Sequence, residues 1–199
     1  MPINIIPDKH LQIFDLGNVL YTVDARRTID ALEALGMPHL DGPVSNSHAA
    51  GGPFSLYCDG RITTQQFYDA VRQYCHVNAS DSQIKQAWNA MLLGFRHDAI
   101  EQLRALRAQG HKIALLSNCN ELHALRVRAE YPGGSDAFDS LFDAMFFSQE
   151  IHCSKPDPQA WRIVLDTLHV QPSDAAFYDD SQINVDAAMR LGIQSQRVD

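Results

Sequence analysis

The sequence is poor in positive charge. Its 199 residues include 16 lysines and arginines against 24 aspartates and glutamates, which gives a formal charge of −8. Nucleic acids and anionic membranes are normally bound by clustered basic residues, so this balance argues against either partner. The sequence also lacks an apolar run as long as a membrane span, and its first ten residues lack the basic-then-apolar order of a secretory signal.

Cysteine is scarce, and its spacing excludes the usual metal and redox motifs. The four cysteines (Cys58, Cys75, Cys119 and Cys153) form no C-x-x-C pair, and the nine histidines show no H-E-x-x-H spacing. We therefore expect neither a zinc site nor a disulfide framework. A reduced protein of the cytoplasm is the simplest interpretation.

Apolar residues are plentiful at 45%, and several form short unbroken runs. Runs of strand length without alternation are typical of strands buried on both faces of a parallel sheet. Helical spacing of apolar residues separates the later runs, which favours an open α/β sheet. The predicted strands cover residues 11–14, 113–116, 144–147 and 175–178, and a fifth lies within 192–198.

The long stretch from about Asp24 to Leu93, after the first predicted strand, contains helical patterns and no convincing strand. Thr63 with Gln66 and Ser80 with Gln83 have the spacing of capping boxes, and apolar residues follow each pair at helical intervals. We therefore predict a Rossmann-like parallel sheet with an all-helical cap inserted after the first strand. The core would comprise residues 1–22 and 94–199, and the cap residues 23–93.

Polar residues follow the predicted strands in a regular way. In a parallel sheet, ligands bind outside the carboxyl ends of the strands, so these residues should meet at one edge. They are Asp15 after the first strand, Ser117-Asn118 after the second, Lys155 beyond the third and Asp179-Asp180 after the fourth.

This set of side chains suits phosphoryl transfer, which depends on positioning and on neutralising charge. Asp15 could attack phosphorus to form an aspartyl phosphate, Lys155 could neutralise phosphoryl oxygens, and Ser117 could donate a hydrogen bond to one of them. The carboxylates could hold Mg2+, which prefers oxygen ligands. Each residue alone also has a structural explanation: a turn for Asp15, a helix cap for Ser117-Asn118 and a solvated charge for Lys155.

At these residues the chain resembles the haloacid dehalogenase-like hydrolase superfamily. All four superfamily motifs have counterparts, namely IFDLGNVLYTVD, LLSNCN, SKPDP and FYDDSQINVDAA. Within the superfamily, the Asp-Leu-Gly-Asn-Val and Ser-Asn-x-Asn sequences look most like sugar-phosphate phosphatases of the glucose-1-phosphatase-like branch. The resemblance implies an Mg2+-dependent phosphatase for a small phosphorylated metabolite.

The resemblance also implies roles for individual residues. Asp15 would be the nucleophile and Asp180 a magnesium ligand, with Asp179 a second or water-mediated ligand. The backbone carbonyl of Gly17 would be another metal contact, and Asn184 a supporting polar residue. The phosphate-binding set would be Ser117, Asn118 and Lys155, to which we add Asn18.

One position departs from the family pattern. Most phosphatases of the superfamily carry a second aspartate two residues after the nucleophile, where this chain has Gly17. That aspartate protonates the leaving oxygen and later activates water, which typically contributes ~10²–10⁴ in rate. Candidate replacements are Asn18, a cap residue or a substrate hydroxyl.

Three hypotheses about function follow. The leading one is the phosphatase. The second is a metal-independent carbon–halogen hydrolase using the same nucleophile, and the third is a weakly catalytic, regulatory protein that binds a phosphorylated metabolite. Candidate substrate contacts in the cap are His48, Tyr57 and Arg61, although an ordinary surface or packing role fits each of them too.

Overall fold

The computed structural model describes residues 2–37, 52–76 and 78–199. The strands are β1 (Leu11–Phe14), β2 (Tyr21–Val23), β3 (Leu92–Phe95), β4 (Lys112–Ser117), β5 (Ala144–Phe147), β6 (Ala175–Asp179) and β7 (Gln194–Arg197). The helices are α1 (Ala25–Ala34), α2 (Pro53–Cys58), α3 (Thr64–Cys75), α4 (Asp81–Trp88), α5 (His97–Ala108), α6 (Glu121–Glu130), α7 (Gly134–Asp139), α8 (Ser148–Ile151), α9 (Pro158–Leu168) and α10 (Gln182–Arg190). Short 3₁₀ helices cover Asn89–Met91 and Pro172–Asp174.

Five of the strands form one parallel sheet in the order β5-β4-β1-β6-β7. Its apolar residues are shared between two hydrophobic clusters on opposite faces. In β1, for example, Phe14 belongs to one cluster, whereas Leu11 and Ile13 belong to the other. Helices α5, α6 and α7 contribute to the first cluster, and α9 and α10 to the second. The predicted α/β class and the predicted parallel sheet are confirmed.

Helices α1 to α4 build a third hydrophobic cluster, separate from the two on the sheet. Stacked aromatic rings fill it: the Tyr57 and Phe67 centroids lie 4.3 Å apart, and those of Phe54 and Trp88 lie 5.3 Å apart. Leu122 of α6 also belongs to this cluster, so it adjoins the sheet domain. Both predicted capping boxes are present, at the N-termini of α3 and α4. The exact limits of the cap stay a prediction.

The prediction that no strand lies between residues 24 and 93 is wrong at its end. β3 begins at Leu92 and pairs with β2 in an antiparallel hairpin outside the main sheet. The hairpin was missed because each strand has only three or four residues, and Gly94 interrupts β3 with φ of +134°. The two strands join the helical insertion to the sheet domain on both sides.

No helix within the described residues combines the length and apolarity needed to cross a bilayer. All four cysteines have free thiols, and Cys58, Cys75 and Cys119 are buried.

Candidate active site

Three neighbouring strands of the sheet place polar residues at one edge. Asp15 directly follows β1, Ser117 ends β4, and Asp179 ends β6. The backbone N–H of Asp15 donates to the carbonyl of Tyr178 at 2.9 Å, which continues the pairing of β1 with β6 for one more residue. This pairing sets Asp15 beside the carboxyl end of β6, as the order of strand ends predicts.

Lys155 connects two of the carboxylates at this edge. Its ammonium lies 2.8 Å from Asp15 Oδ1 and 2.6 Å from Asp179 Oδ2, and the side chain is almost fully buried. Burial alone would lower the pKa of Lys155, but the attraction of Asp15 and Asp179 outweighs it, so the pKa of Lys155 is raised. Lys155 therefore stays charged at neutral pH.

Asp15 is a buried carboxyl group with a perturbed pKa. It is 8% exposed. Burial, opposed by the Lys155 ammonium and assisted by the nearby charge of Asp179, raises the pKa of Asp15 to about 6. A carboxylate removed from water in this way is poorly solvated, which is the usual condition of a reactive group in an enzyme.

Asp15, Asp179 and Asp180 form a carboxylate cluster in which one oxygen from each lies within 4.8 Å of the others. Together with the Lys155 ammonium these groups carry a formal charge of −2. Like charges this close repel one another unless a cation or a proton is shared between them. All the donors are hard oxygen atoms, so the cluster fits Mg2+ better than zinc or copper.

The two adjacent aspartates have different environments. Asp179 is fully buried, and both its oxygens accept hydrogen bonds, from Lys155 Nζ, from the backbone N–H of Ser181 at 2.8 Å and from Asn184 Nδ2 at 3.0 and 3.1 Å. Asp180 is only partly buried. Asp179 is therefore better placed to organise the cluster, and Asp180 is the more accessible carboxylate.

Asn18 was expected to bind phosphate, but both ends of its amide already contact the protein. Its Nδ2 donates to Asp180 Oδ2 at 3.0 Å, and its Oδ1 accepts from the backbone N–H of Val23 at 3.0 Å. Asn18 thus orients a cluster carboxylate and ties it to β2. Its backbone has φ of +55°, a conformation that asparagine tolerates better than most residues.

Asn118 makes a similar two-sided contact. Its Oδ1 accepts from the backbone N–H of Lys155 at 2.8 Å, and its Nδ2 donates to the Lys155 carbonyl at 2.7 Å. These bonds fix the backbone from which the long Lys155 side chain reaches the carboxylates. The Asn118 side chain thus helps to position Lys155, and phosphate binding by Asn118 stays a prediction.

A cavity of about 140 Å³ adjoins the cluster. Its lining includes Gly17, Ser117 and Asn118, together with Met91, Leu92 and other apolar residues of the hairpin region. A Cβ atom added to Gly17 would lie 3.9 Å from Asp15 Oδ2, so this oxygen faces position 17, whereas Oδ1 faces Lys155. A substrate bound in the cavity would meet Asp15 from this side.

A family model for haloacid dehalogenase-like hydrolases matches residues 11–192. The chain belongs to this family. The match runs from β1 through the helical insertion to the end of α10, and it includes the residues of the carboxylate cluster. The chain is therefore an enzyme of the hydrolase class.

Relatives of this hydrolase include several phosphatases. It is 24% identical over 188 residues to the D-ribitol-5-phosphate phosphatase of Bacteroides thetaiotaomicron, covering 92% of this chain and 88% of that protein. It is 29% identical over 94 residues to the phosphorylated carbohydrates phosphatase of Thermotoga maritima, covering 47% of this chain and 41% of that protein. Among solved structures, a family enzyme of B. thetaiotaomicron in complex with magnesium and inorganic phosphate superposes with a TM-score of 0.83 at 27% identity, covering 96% and 94% of the two chains.

Two of the cap candidates in this hydrolase, Tyr57 and Arg61, do not line the cavity beside Gly17. Tyr57 and Arg61 border another cavity, of about 460 Å³, which also contacts Glu121 and Arg128 of α6. The Tyr57 hydroxyl accepts from the backbone N–H of Leu122 at 3.2 Å, which indicates a packing role. His48 lies outside the described residues.

Asn120 and His123 were not singled out in the sequence, yet they join the cap to the sheet domain. Trp88 Nε1 donates to Asn120 Oδ1 at 3.2 Å, and the Trp88 carbonyl accepts from His123 Nε2 at 3.0 Å. His123 Nδ1 then accepts from Asn120 Nδ2 at 3.1 Å, so the neutral imidazole uses both nitrogens. Asn120 belongs to the Ser-Asn-x-Asn sequence, which was a partial signal; nothing in the sequence distinguished His123.

We expect this network to make folding sensitive to acid. Burial lowers the pKa of His123 to about 4, against 6.5 for a free imidazole. The unfolded chain then binds the proton first as pH falls, so the free energy of unfolding decreases between pH 6.5 and pH 4. Compared with His123→Asn, wild type should lose roughly 2 kcal/mol more between pH 7 and pH 4.5 in urea unfolding. Parallel pH profiles for the two proteins would contradict this expectation.

Proposed function

We propose that this hydrolase is an Mg2+-dependent phosphatase for a small sugar or sugar-alcohol phosphate, and that it works through an aspartyl phosphate on Asp15. The observation that carries the proposal is the meeting of Asp15, Lys155, Asp179 and Asp180 at one edge of the sheet. The phosphatases among the relatives, and the magnesium and phosphate bound by the similar solved structure, support the same chemistry.

Lys155 and a bound metal ion would both neutralise negative charge on the phosphoryl group. Mg2+ would be held by Asp15, Asp180 and the backbone carbonyl of Gly17, while Asp179 fixes Lys155 beside them. When bound, the ion would withdraw charge from the phosphoryl oxygens and make phosphorus more electrophilic. Lys155, beside Asp15, would provide a second positive charge, and the Ser117 hydroxyl would donate to a phosphoryl oxygen.

Asp15 would act in two steps. A carboxylate oxygen attacks phosphorus, an Asp15–phosphorus bond forms, and the bond to the leaving oxygen breaks. A water molecule then attacks the same phosphorus, the Asp15–phosphorus bond breaks, and inorganic phosphate leaves with the carboxylate regenerated. Because position 17 carries no side chain, the proton for the leaving oxygen would come from another donor, such as a cap residue, a substrate hydroxyl or water.

We expect phosphate release from a panel of sugar and sugar-alcohol phosphates to stop in EDTA and to return when excess Mg2+ is added. The physical reason is that the formal charge of −2 on the site repels a phosphate dianion unless a cation is present. Asp180→Asn should lower the apparent affinity for Mg2+, read as a shift of the activation curve. Full turnover in EDTA would overturn the metal requirement.

The same panel, extended by the haloacid 2-chloropropionate, also tests the other two hypotheses. Release of chloride from 2-chloropropionate in EDTA, without hydrolysis of any phosphate ester, would identify a carbon–halogen hydrolase. Tight binding of a phosphate ester without turnover over hours would identify a binding protein.

A further inference from the structure

The cap touches the sheet domain at a short segment that we call the docking turn, Cys58–Gly60, at the end of α2. The Cys58 carbonyl accepts from Ser148 Oγ at 2.7 Å, and the Asp59 carboxylate accepts from Ser154 Oγ at 2.6 Å. Gly60 approaches Gln149 so closely that an added Cβ would lie 2.1 Å from its carbonyl oxygen. The three consecutive residues thus dock on the segment that leads from β5 to Lys155.

Two contacts of the docking turn, those with Ser148 and Ser154, lead to parts of the candidate active site. Ser154 directly precedes Lys155, whose ammonium bridges Asp15 and Asp179. Ser148 Oγ also accepts from the backbone N–H of Cys119 at 3.0 Å, in the loop that carries Ser117 and Asn118. Through Ser148, the docking turn contacts the loop that carries Asn118. Through Ser154, it contacts the residue before Lys155, and Asn118 and Lys155 are themselves hydrogen-bonded to each other.

Resting on the proposed function, we propose that Asp59 is a positioning residue for Lys155. A lysine side chain has four rotatable bonds, so two ion pairs of 2.6 and 2.8 Å require a fixed backbone at its base. Asn118 fixes the peptide groups of Lys155 itself, and Asp59 fixes the preceding residue through the Ser154 hydroxyl. Asp59 is only partly buried, and its carboxylate accepts from the Ser154 hydroxyl at 2.6 Å, a short hydrogen bond that restrains Ser154.

The test compares Asp59→Ala, Ser154→Ala and Asp59→Asn with wild type on a phosphate ester that the wild type hydrolyses. Because small misplacements of catalytic groups are costly, we expect the first two variants to lower kcat roughly 10- to 100-fold with a smaller change in KM. Asp59→Asn keeps an oxygen that can accept from Ser154, so it should retain most of the activity. The double variant Asp59→Ala/Ser154→Ala should lose no more activity than either single variant.

Asp30→Ala is the matched control, because Asp30 is another cap aspartate and its carboxylate pairs with Arg26 on an exposed face of α1. It should behave as wild type. Wild-type kcat in Asp59→Ala, or equal losses in Asp59→Asn and Asp59→Ala, would overturn the positioning role. Absence of turnover in the wild type would instead count against the proposed function.

A second measurement tests the contact without relying on activity. Hydrogen exchange of peptides covering 148–157 should be faster in Asp59→Ala than in wild type and unchanged in Asp59→Asn. Gly60→Ala should have the same effect, because its Cβ would collide with the Gln149 carbonyl. Gly134→Ala is its control, since Gly134 also has positive φ (+78°) but open space around the added Cβ. Unchanged exchange in both Asp59→Ala and Gly60→Ala would contradict the role of the docking turn.

Discussion

Asp15→Asn should lower kcat by roughly 10⁴-fold or more on every phosphate ester that the wild type hydrolyses. The loss is expected to be this large because removing a nucleophile removes the covalent route itself. The amide keeps the size of the carboxylate but is a poor nucleophile, and it cannot form an ion pair with Lys155. Phosphate release measured over hours with high enzyme concentration would give the residual rate.

The loss of activity should not be a loss of folding. Lys155 keeps its partner Asp179 in the variant, and the buried Asp15 carboxylate, whose pKa is raised to about 6, is itself unfavourable in the folded state at neutral pH. The melting temperature of Asp15→Asn in EDTA should therefore equal or exceed that of wild type. Asp186→Asn is the matched control, because Asp186 bonds to Gln182 on α10 and should be dispensable. Appreciable turnover by Asp15→Asn would remove Asp15 from the mechanism.

Gly17→Asp should raise kcat by roughly 10²-fold on substrates with poor leaving groups, such as sugar-alcohol phosphates. Gly17 does not have positive φ, and an added Cβ would lie in ordinary contact with Val23 at 3.7 Å and with Asp15 at 3.9 Å. An aspartate therefore fits without backbone strain. The neighbouring carboxylates would raise the pKa of the new carboxyl group, so it would hold a proton that it could donate to the leaving oxygen.

The dependence on the leaving group distinguishes acid catalysis from a general change in the cavity. An aryl phosphate with a stable phenolate leaving group needs no proton, so Gly17→Asp should change its turnover little. Gly17→Asn has the same size and no acidic proton, and it should not reproduce the gain on sugar-alcohol phosphates. Equal effects of Gly17→Asp on both substrate classes, or a matching gain in Gly17→Asn, would contradict the missing-acid interpretation.

Sequence patterns were sufficient to place Asp15, Ser117 and Asp179 at one edge of the sheet. Unbroken apolar runs indicate buried parallel strands, and the carboxyl ends of parallel strands lie at the same edge. The partners of the amide side chains were not predictable in this way. The bond from Asn18 to Asp180 spans 162 residues of sequence, and the bonds from Asn118 to Lys155 span 37. Which of two nearby polar groups an amide contacts depends on distances that no pattern encodes.

The contacts of the docking turn could not be predicted from the sequence for a related reason. Asp59 and Ser154 are 95 residues apart, and each resembles an ordinary loop residue. Gly60 indicates a turn, but it does not indicate what packs against that turn. The β2–β3 hairpin was missed because its strands are too short for periodicity. In both cases tertiary packing, rather than local preference, decides the structure.

Direct detection of phosphate on Asp15 is the most decisive measurement. Wild-type enzyme mixed with a labelled phosphate ester and Mg2+, quenched in acid within one turnover, should carry label on the tryptic peptide 10–26, and hydroxylamine should remove it as expected for an acyl phosphate. Rapid phosphate release with no label on this peptide would contradict the account.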